Sequence, residues 1–197
     1  MIRIPLRSLY LSISFSLSLW LGLIGAGIGI AGAGPMGTFY SEEKSWTELF
    51  PAYRRVEKDT LILKDSILAL AQMELKGFIP GKVLVFERML CKDGTVAYIY
   101  RAQELGKVQM MDFAVALDGE GKVIRVLLTA YRETVGGEVQ SKRFLGQFRG
   151  KKRGHSLQLN RDIDGISGAT LSSRAIALGV RKAIYFWNLK YGKNGKN

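Results

Sequence analysis

The sequence predicts an α+β chain: an N-terminal transmembrane helix followed by a small antiparallel-sheet domain with flanking helices. Three observations predict it. An uncharged stretch runs from Ser8 to Ser41, several strand-like segments alternate with turn residues between positions 82 and 130, and an amphipathic segment closes the chain. Hydrophobic residues make up 47% and charged residues 23% of the 197 positions. That composition supplies a buried core and excludes a disordered chain.

The centre of the uncharged stretch, Leu9 to Ile30, is long enough as a helix to cross a hydrocarbon layer of about 30 Å. Arg3 and Arg7 precede it and Glu42-Glu43 follow it, so the N-terminus is expected inside and the remainder outside the cytoplasm. Ala31-Gly32-Ala33 carries the small-x-small pattern of a signal-peptidase site, so cleavage stays open beside a retained anchor. Gly25 and Gly29 have the spacing of a helix-packing motif. Gly34-Pro35-Met36-Gly37 then breaks any helix and opens a linker. The expected division is 1–34 anchor or signal peptide, 35–77 linker and amphipathic helix, 78–189 domain and 190–197 basic tail.

Asp59 to Lys76 reads as an amphipathic helix with Asp59 as N-cap and Leu63, Ile67, Leu70 and Ala71 on one face. Gly77 and Pro80-Gly81 end it. Lys82 to Leu90 and Thr95 to Ala102 read as strands joined by a turn at Lys92-Asp93-Gly94. Val108 to Leu117 and Lys122 to Ala130 read as a second hairpin through Asp118-Gly119-Glu120-Gly121. Such spacing implies an antiparallel sheet. In the last helix Ile176, Val180, Ala183, Ile184 and Trp187 repeat on one face, with Arg174, Arg181 and Lys190 solvated.

One cysteine, Cys91, and one histidine, His155, are present. They exclude an intrachain disulfide, a Cys₄ or Cys₂His₂ metal site and a haem-attachment motif. Cys91 reads as a half-buried structural thiol and His155 as part of a solvated basic loop. Redox chemistry would therefore rest on an organic cofactor. The net charge of +12 suits an anionic membrane surface or an acidic protein; nucleic acid is the poorest fit, because the charge is scattered and the domain is expected to be exported. Arg181, Lys182, Lys190, Lys193 and Lys196 are the candidates for steering an acidic partner.

The segment Asp164-Gly165-Ile166-Ser167-Gly168-Ala169-Thr170-Leu171-Ser172-Ser173 leads into the last helix. Its small residues let a bulky ligand approach the backbone. The free N–H groups of a helix start favour an anion, and the hydroxyls of Ser167, Thr170, Ser172 and Ser173 add donors. On these grounds it is a phosphate site or an elaborate N-cap.

The pattern Asp-x-x-Ser-Gly-Ala-Thr-x-Ser-Ser resembles the flavinylation motif of FMN-binding domains, such as the FMN-carrying subunits of the sodium-translocating NADH:quinone reductase and of the Rnf electron-transport complex. Those domains carry a Glu-Thr-Pro-Gly loop upstream and then a Phe-containing segment. Glu133-Thr134-Val135-Gly136-Gly137 and Phe144 to Gly150 stand in the corresponding places, with Val135 where proline is usual. The resemblance covers residues 78–189. The chain reads as a stand-alone domain of simpler type, so membership of either complex does not follow.

The resemblance implies a fold, an FMN-binding domain, and a chemistry. A separate flavin transferase, using FAD and a divalent metal, would join FMN to Thr170 as a phosphodiester and release AMP. Asp164, Ser167, Gly168, Ala169, Ser172 and Ser173 would belong to the recognised motif, and Glu133, Thr134 and Gly136 would approach the flavin or its ribityl chain. The protein would then relay electrons outside the cytoplasm to redox partners such as quinone reductase subunits or cytochromes. Two alternatives stay open: the electron-input domain of an exported reductase, and an interaction module that never receives flavin.

Overall fold

A computed structural model describes residues 37–79 and 81–192. The expected anchor, the Gly25 and Gly29 pair, the Ala31-Gly32-Ala33 site and the basic-tail residues Lys193 and Lys196 lie outside the described residues. Among the described residues no helix is long and apolar enough to cross a membrane.

Six strands form one antiparallel sheet: β1 (Gly37–Thr38), β2 (Tyr53–Ile62), β3 (Val83–Cys91), β4 (Val96–Leu105), β5 (Met110–Leu117) and β6 (Val123–Tyr131). Their order is β1-β6-β5-β4-β3-β2, so β2 to β6 are a meander and the two-residue β1 closes the far edge beside Tyr131. The two predicted hairpins are present within one to three residues of the expected ends.

Each face of the sheet has its own cover. The last helix, α4 (Thr170–Tyr191), packs on one face against Phe86, Tyr100, Phe113, Val115 and Val126. The five expected core residues of that helix are all buried. Gly179 permits the contact: a Cβ there would lie 2.3 Å from Cζ of Phe113. On the other face α1 (Glu42–Leu49) covers Met89, Ala97, Ile99, Ala114, Ala116 and Leu127. A polar lock holds it. The indole of Trp46 donates to Glu87, and Arg101 grips the same carboxylate through Nε at 2.6 Å and Nη2 at 2.9 Å.

Residues 35–77, expected as linker plus one helix, need correction. Within them β1, α1 and β2 are parts of the domain, and the amphipathic helix α2 spans Asp65–Leu75, starting six residues later than expected. Asp59 does not cap it. Asp59 lies in β2 opposite Phe86, and its carboxylate takes the Tyr191 hydroxyl at 2.7 Å and Lys190 Nζ at 2.9 Å. Ala71 and Leu75 are the buried residues of α2; Leu70 is exposed, and Leu63 is buried ahead of the helix.

The expected basic steering face also needs correction. Lys182 is only 2% exposed and gives Nζ to Glu104 Oε1 at 2.5 Å and to the Phe78 carbonyl at 2.6 Å. Lys190 is held by Asp59 and the Thr60 carbonyl. Arg181 is half-buried and donates to the Leu75 carbonyl. These cations anchor the helix to the sheet and to α2. Cys91 is half-buried and His155 exposed, in keeping with their sequence contexts.

Candidate functional site

The ten-residue segment folds as a turn that delivers the start of α4. Gly168 takes φ +79°, a left-handed conformation that glycine adopts without strain. Ala169 is the N-cap, and no side chain caps the helix. Thr170 is the first helical residue and is exposed. The first amides of a helix have no intrahelical acceptor, so the positive end of α4 opens beside the Thr170 hydroxyl.

Other elements hold this turn in place. Gln147 clamps Asp164: its Oε1 accepts from the Asp164 amide at 2.7 Å and its Nε2 donates to the Asp164 carbonyl at 3.2 Å. The Asp164 carboxylate itself is exposed, as are Ser167 and Gly168. Ser173 is buried and its hydroxyl accepts from the Ile166 amide at 3.4 Å. Ser172 is buried and pairs with the Tyr131 phenol, whose hydroxyl donates to the Val135 carbonyl at 2.5 Å. Ser172 and Ser173 thus pin the turn from within, while Ser167 and Thr170 face outward.

The upstream loop meets the segment directly. A Cβ on Gly136 would lie 2.9 Å from Cβ of Ala169 and 3.1 Å from the Tyr131 hydroxyl, and Gly136 has φ +79°. Any side chain there would push the loop off the helix start. Thr134 and Val135 are exposed beside it.

Glu133 is turned inward and 3% exposed. Its Oε1 accepts from the amides of Val108 at 2.8 Å and Gln109 at 3.1 Å in the β4–β5 turn. Burial alone would raise this carboxyl, but the amides of Val108, Gln109 and Lys107 outweigh it and hold the group below its ordinary value. A carboxyl so lowered adds stability above its unfolded value, and loses it as pH falls through its lowered folded value. Glu133→Gln should therefore cost about 1–3 kcal/mol near neutral pH. In urea melts the difference from the unsubstituted chain should shrink as the solution is acidified.

A cavity of about 540 Å³ opens beside the helix start. Ser167 and Thr170 line it together with Lys76, Arg174, Arg181 and Asn160, and its lining contains no carboxylate. The wall from Leu157 to Asn160 is shaped by Asp162, which accepts from the Ser156 hydroxyl at 2.6 Å and from the amides of Leu157 and Gln158 at 2.9 Å. Burial opposes ionisation of Asp162, yet these hydrogen bonds prevail and bring its carboxyl to about 2. Leu157 is buried with φ +50°, a conformation unusual for a branched residue and held here by Asp162. A larger cavity of about 730 Å³ near Arg125 and Arg149 touches no residue of the segment.

The structure thus joins Ser167, Thr170 and the backbone of the turn to one cationic cavity, and places Gly136 against Ala169. It directs the Glu133 carboxylate into a turn. Lys76, Arg174, Arg181, Gln147 and Asp162 carry no signal in the sequence that marks them as site residues. Only the Phe144–Gly150 segment, which contains Gln147, stands out there. Among the described residues no cluster of His, Cys, Asp and Glu could hold a metal ion.

The site's chemistry suits a flavin phosphate: an uncapped helix start and three cations for its charge, a hydroxyl at the rim, and a cavity within the usual range for small-molecule sites. Comparison with known proteins agrees. Residues 106–185 match the FMN-binding domain family. One component of the proton-translocating ferredoxin:NAD(+) oxidoreductase complex from Clostridium ljungdahlii is 32% identical over 98 residues, which cover 46% of this chain and 52% of that protein. This chain therefore spans about half the length of that curated relative. The crystal structure of one component of the Na(+)-translocating NADH-quinone reductase, NqrC's counterpart from Parabacteroides distasonis, aligns with a TM-score of 0.51, over 79% of this chain and 85% of that one. At 17% identity it speaks for the fold alone. NqrC from Shewanella oneidensis aligns at 14% identity and a TM-score of 0.48, over 79% of this chain and 87% of that one. The segment from Gly106 to Tyr185, with the Thr170 turn inside it, is a domain of the FMN-binding domain family.

Proposed function

We propose that this chain is an extracytoplasmic electron-transfer flavoprotein, held at the membrane by Leu9 to Ile30 and carrying FMN on Thr170 through a phosphodiester. The observation that carries the reading is the exposed Thr170 hydroxyl at an uncapped helix start, on the rim of a cavity lined by Lys76, Arg174 and Arg181. When bound, FMN supplies one- and two-electron transfer.

The chain's own residues position and load the group. Thr170 Oγ1 attacks the flavin-side phosphorus of FAD, the phosphoanhydride breaks, AMP leaves, and a flavin transferase takes the hydroxyl proton. Threonine is a weak nucleophile at neutral pH, so that enzyme must activate it. The phosphodiester left behind keeps one negative charge, which the helix start and the cavity cations stabilise. Gly136 leaves room beside Ala169, and Ser172 and Ser173 keep the turn fixed while Thr170 stays free.

The names of the relatives support a place in a membrane-bound chain. We place this protein between redox proteins there, such as quinone reductase subunits or cytochromes, with no role for nucleic acid. Two experiments test the reading. Chain made with a flavin transferase in the same compartment should gain the mass of FMN less one water and stay yellow after denaturation. Flavin that washes out on denaturation would overturn the covalent link. A reporter fused after Asn197 should work only if it is active outside the cytoplasm, and a working cytoplasmic reporter would overturn the topology.

A further inference from the structure

The helical face of the sheet is fully covered, but α1 covers only part of the other face. Strand alternation shows what remains open. Leu84, Phe86, Glu104 and Met111 point toward α4, so Val83, Val85, Leu105 and Met110 point away from it. Register sets Ile62 opposite Val83 and Leu105 opposite Met110. With Val108 in the β4–β5 turn, these six apolar side chains sit at one end of the sheet, each between 37% and 73% exposed. The polar groups among them satisfy one another: Asp112 takes Gln103 Nε2 at 2.7 Å and Arg132 Nη2 at 2.6 Å. No unpaired carboxylate of this network faces outward.

The same end receives the chain from its N-terminal segment. β1 runs antiparallel to β6, and its first residue, Gly37, lies opposite Tyr131, where β6 finishes. Only six residues separate Gly37 from Ile30, the last of the apolar stretch. Fully extended they reach about 20 Å. If that stretch is the anchor, this end of the sheet cannot leave the neighbourhood of the bilayer. The apolar end is also the Thr170 end. A Cβ on Gly106, between Leu105 and the turn, would lie 3.3 Å from Ser172 Oγ, two residues from Thr170.

We propose that this end of the domain rests on the lipid bilayer, with Ile62, Val83, Val85, Leu105, Val108 and Met110 in the interface, so that the Thr170 site is presented at the membrane surface. Lys64 and Lys107 flank the patch with charge that suits anionic headgroups. The proposal rests on the anchor reading given above.

The test uses the full chain with Cys91→Ser and one new cysteine bearing an environment-sensitive fluorophore. Val108→Cys reports the apolar end and Glu120→Cys the opposite end, both at exposed positions. Each protein is reconstituted into vesicles of phosphatidylcholine and phosphatidylglycerol containing a lipid spin-labelled near its headgroup, with no other protein present. The label at Val108 should be quenched several-fold more than the label at Glu120. Equal quenching in protein that floats with the vesicles would overturn the proposal alone and assign the patch to a protein partner. Protein that does not float with the vesicles would overturn the anchor reading, and the docking with it.

Discussion

Thr170→Ala is expected to abolish denaturation-resistant flavin while leaving the fold intact. The hydroxyl is exposed and takes no part in capping, since Ala169 is the N-cap and no side chain caps the helix. Its loss removes an oxygen nucleophile and no internal hydrogen bond that positions the turn. The stability cost should stay within about 0.5 kcal/mol, the usual range for a surface change away from such features. Thr170→Ser keeps the hydroxyl and should keep partial labelling. Ser167→Ala leaves Thr170 untouched and should reduce labelling at most. The checks are intact mass, in-gel flavin fluorescence after denaturation, and peptide fragmentation that places the flavin. Resistant flavin on the Thr170→Ala protein would refute the site.

Lys182→Met should produce the largest loss of stability. Lys182 and Glu104 form a buried pair between α4 and β4, and the Phe78 carbonyl completes the lysine's coordination. Removing the lysine leaves a carboxyl buried without its partner, which costs about 3–5 kcal/mol. For a domain of this size that lowers Tm by on the order of 10 °C. The loss depends on pH. Burial already raises the Glu104 carboxyl above its ordinary value, and Lys182 pulls it partly back. Without Lys182 the folded value rises further. A carboxyl raised on folding contributes stability that is fully present below its unfolded value and is lost as pH rises through the folded one. The Lys182→Met protein should therefore recover on mild acidification. Glu104→Gln in the same chain should restore most of the loss at neutral pH. A deficit that ignores both acid and the second substitution would show that lost packing, and not the stranded carboxyl, is responsible.

The same pair shows where the sequence is legible and where it is not. The strands from Val83 to Tyr131 can be read because their buried residues alternate within each strand, a local signal. The Thr170 turn can be read because its residues lie within ten positions of one another. β2 cannot. Arg54, Arg55, Glu57, Lys58 and Asp59 make it look like a solvated helix entry, yet an edge strand tolerates charge when its partners supply counterions. Here Arg88 on β3 binds Glu57 at 2.9 Å, and Lys190 and Tyr191 on the last helix bind Asp59. Those partners are distant in sequence. For the same reason Lys182 looks like a surface charge: its carboxylate lies on β4, 78 positions away. The cavity draws Lys76 from the end of α2 and Arg174 and Arg181 from α4, and no single stretch of sequence brings them together.

Thr170 opens the last helix, and that helix covers the centre of the sheet. The acceptor is therefore among the final parts of the domain to be synthesised and exported, and it takes shape only once α4 has docked on β4 and β5. Flavin attachment then acts as a certificate of completion. A chain cut short before α4 loses the acceptor and the cover of its core together, so it cannot join the electron-carrying pool as a cofactor-bearing fragment.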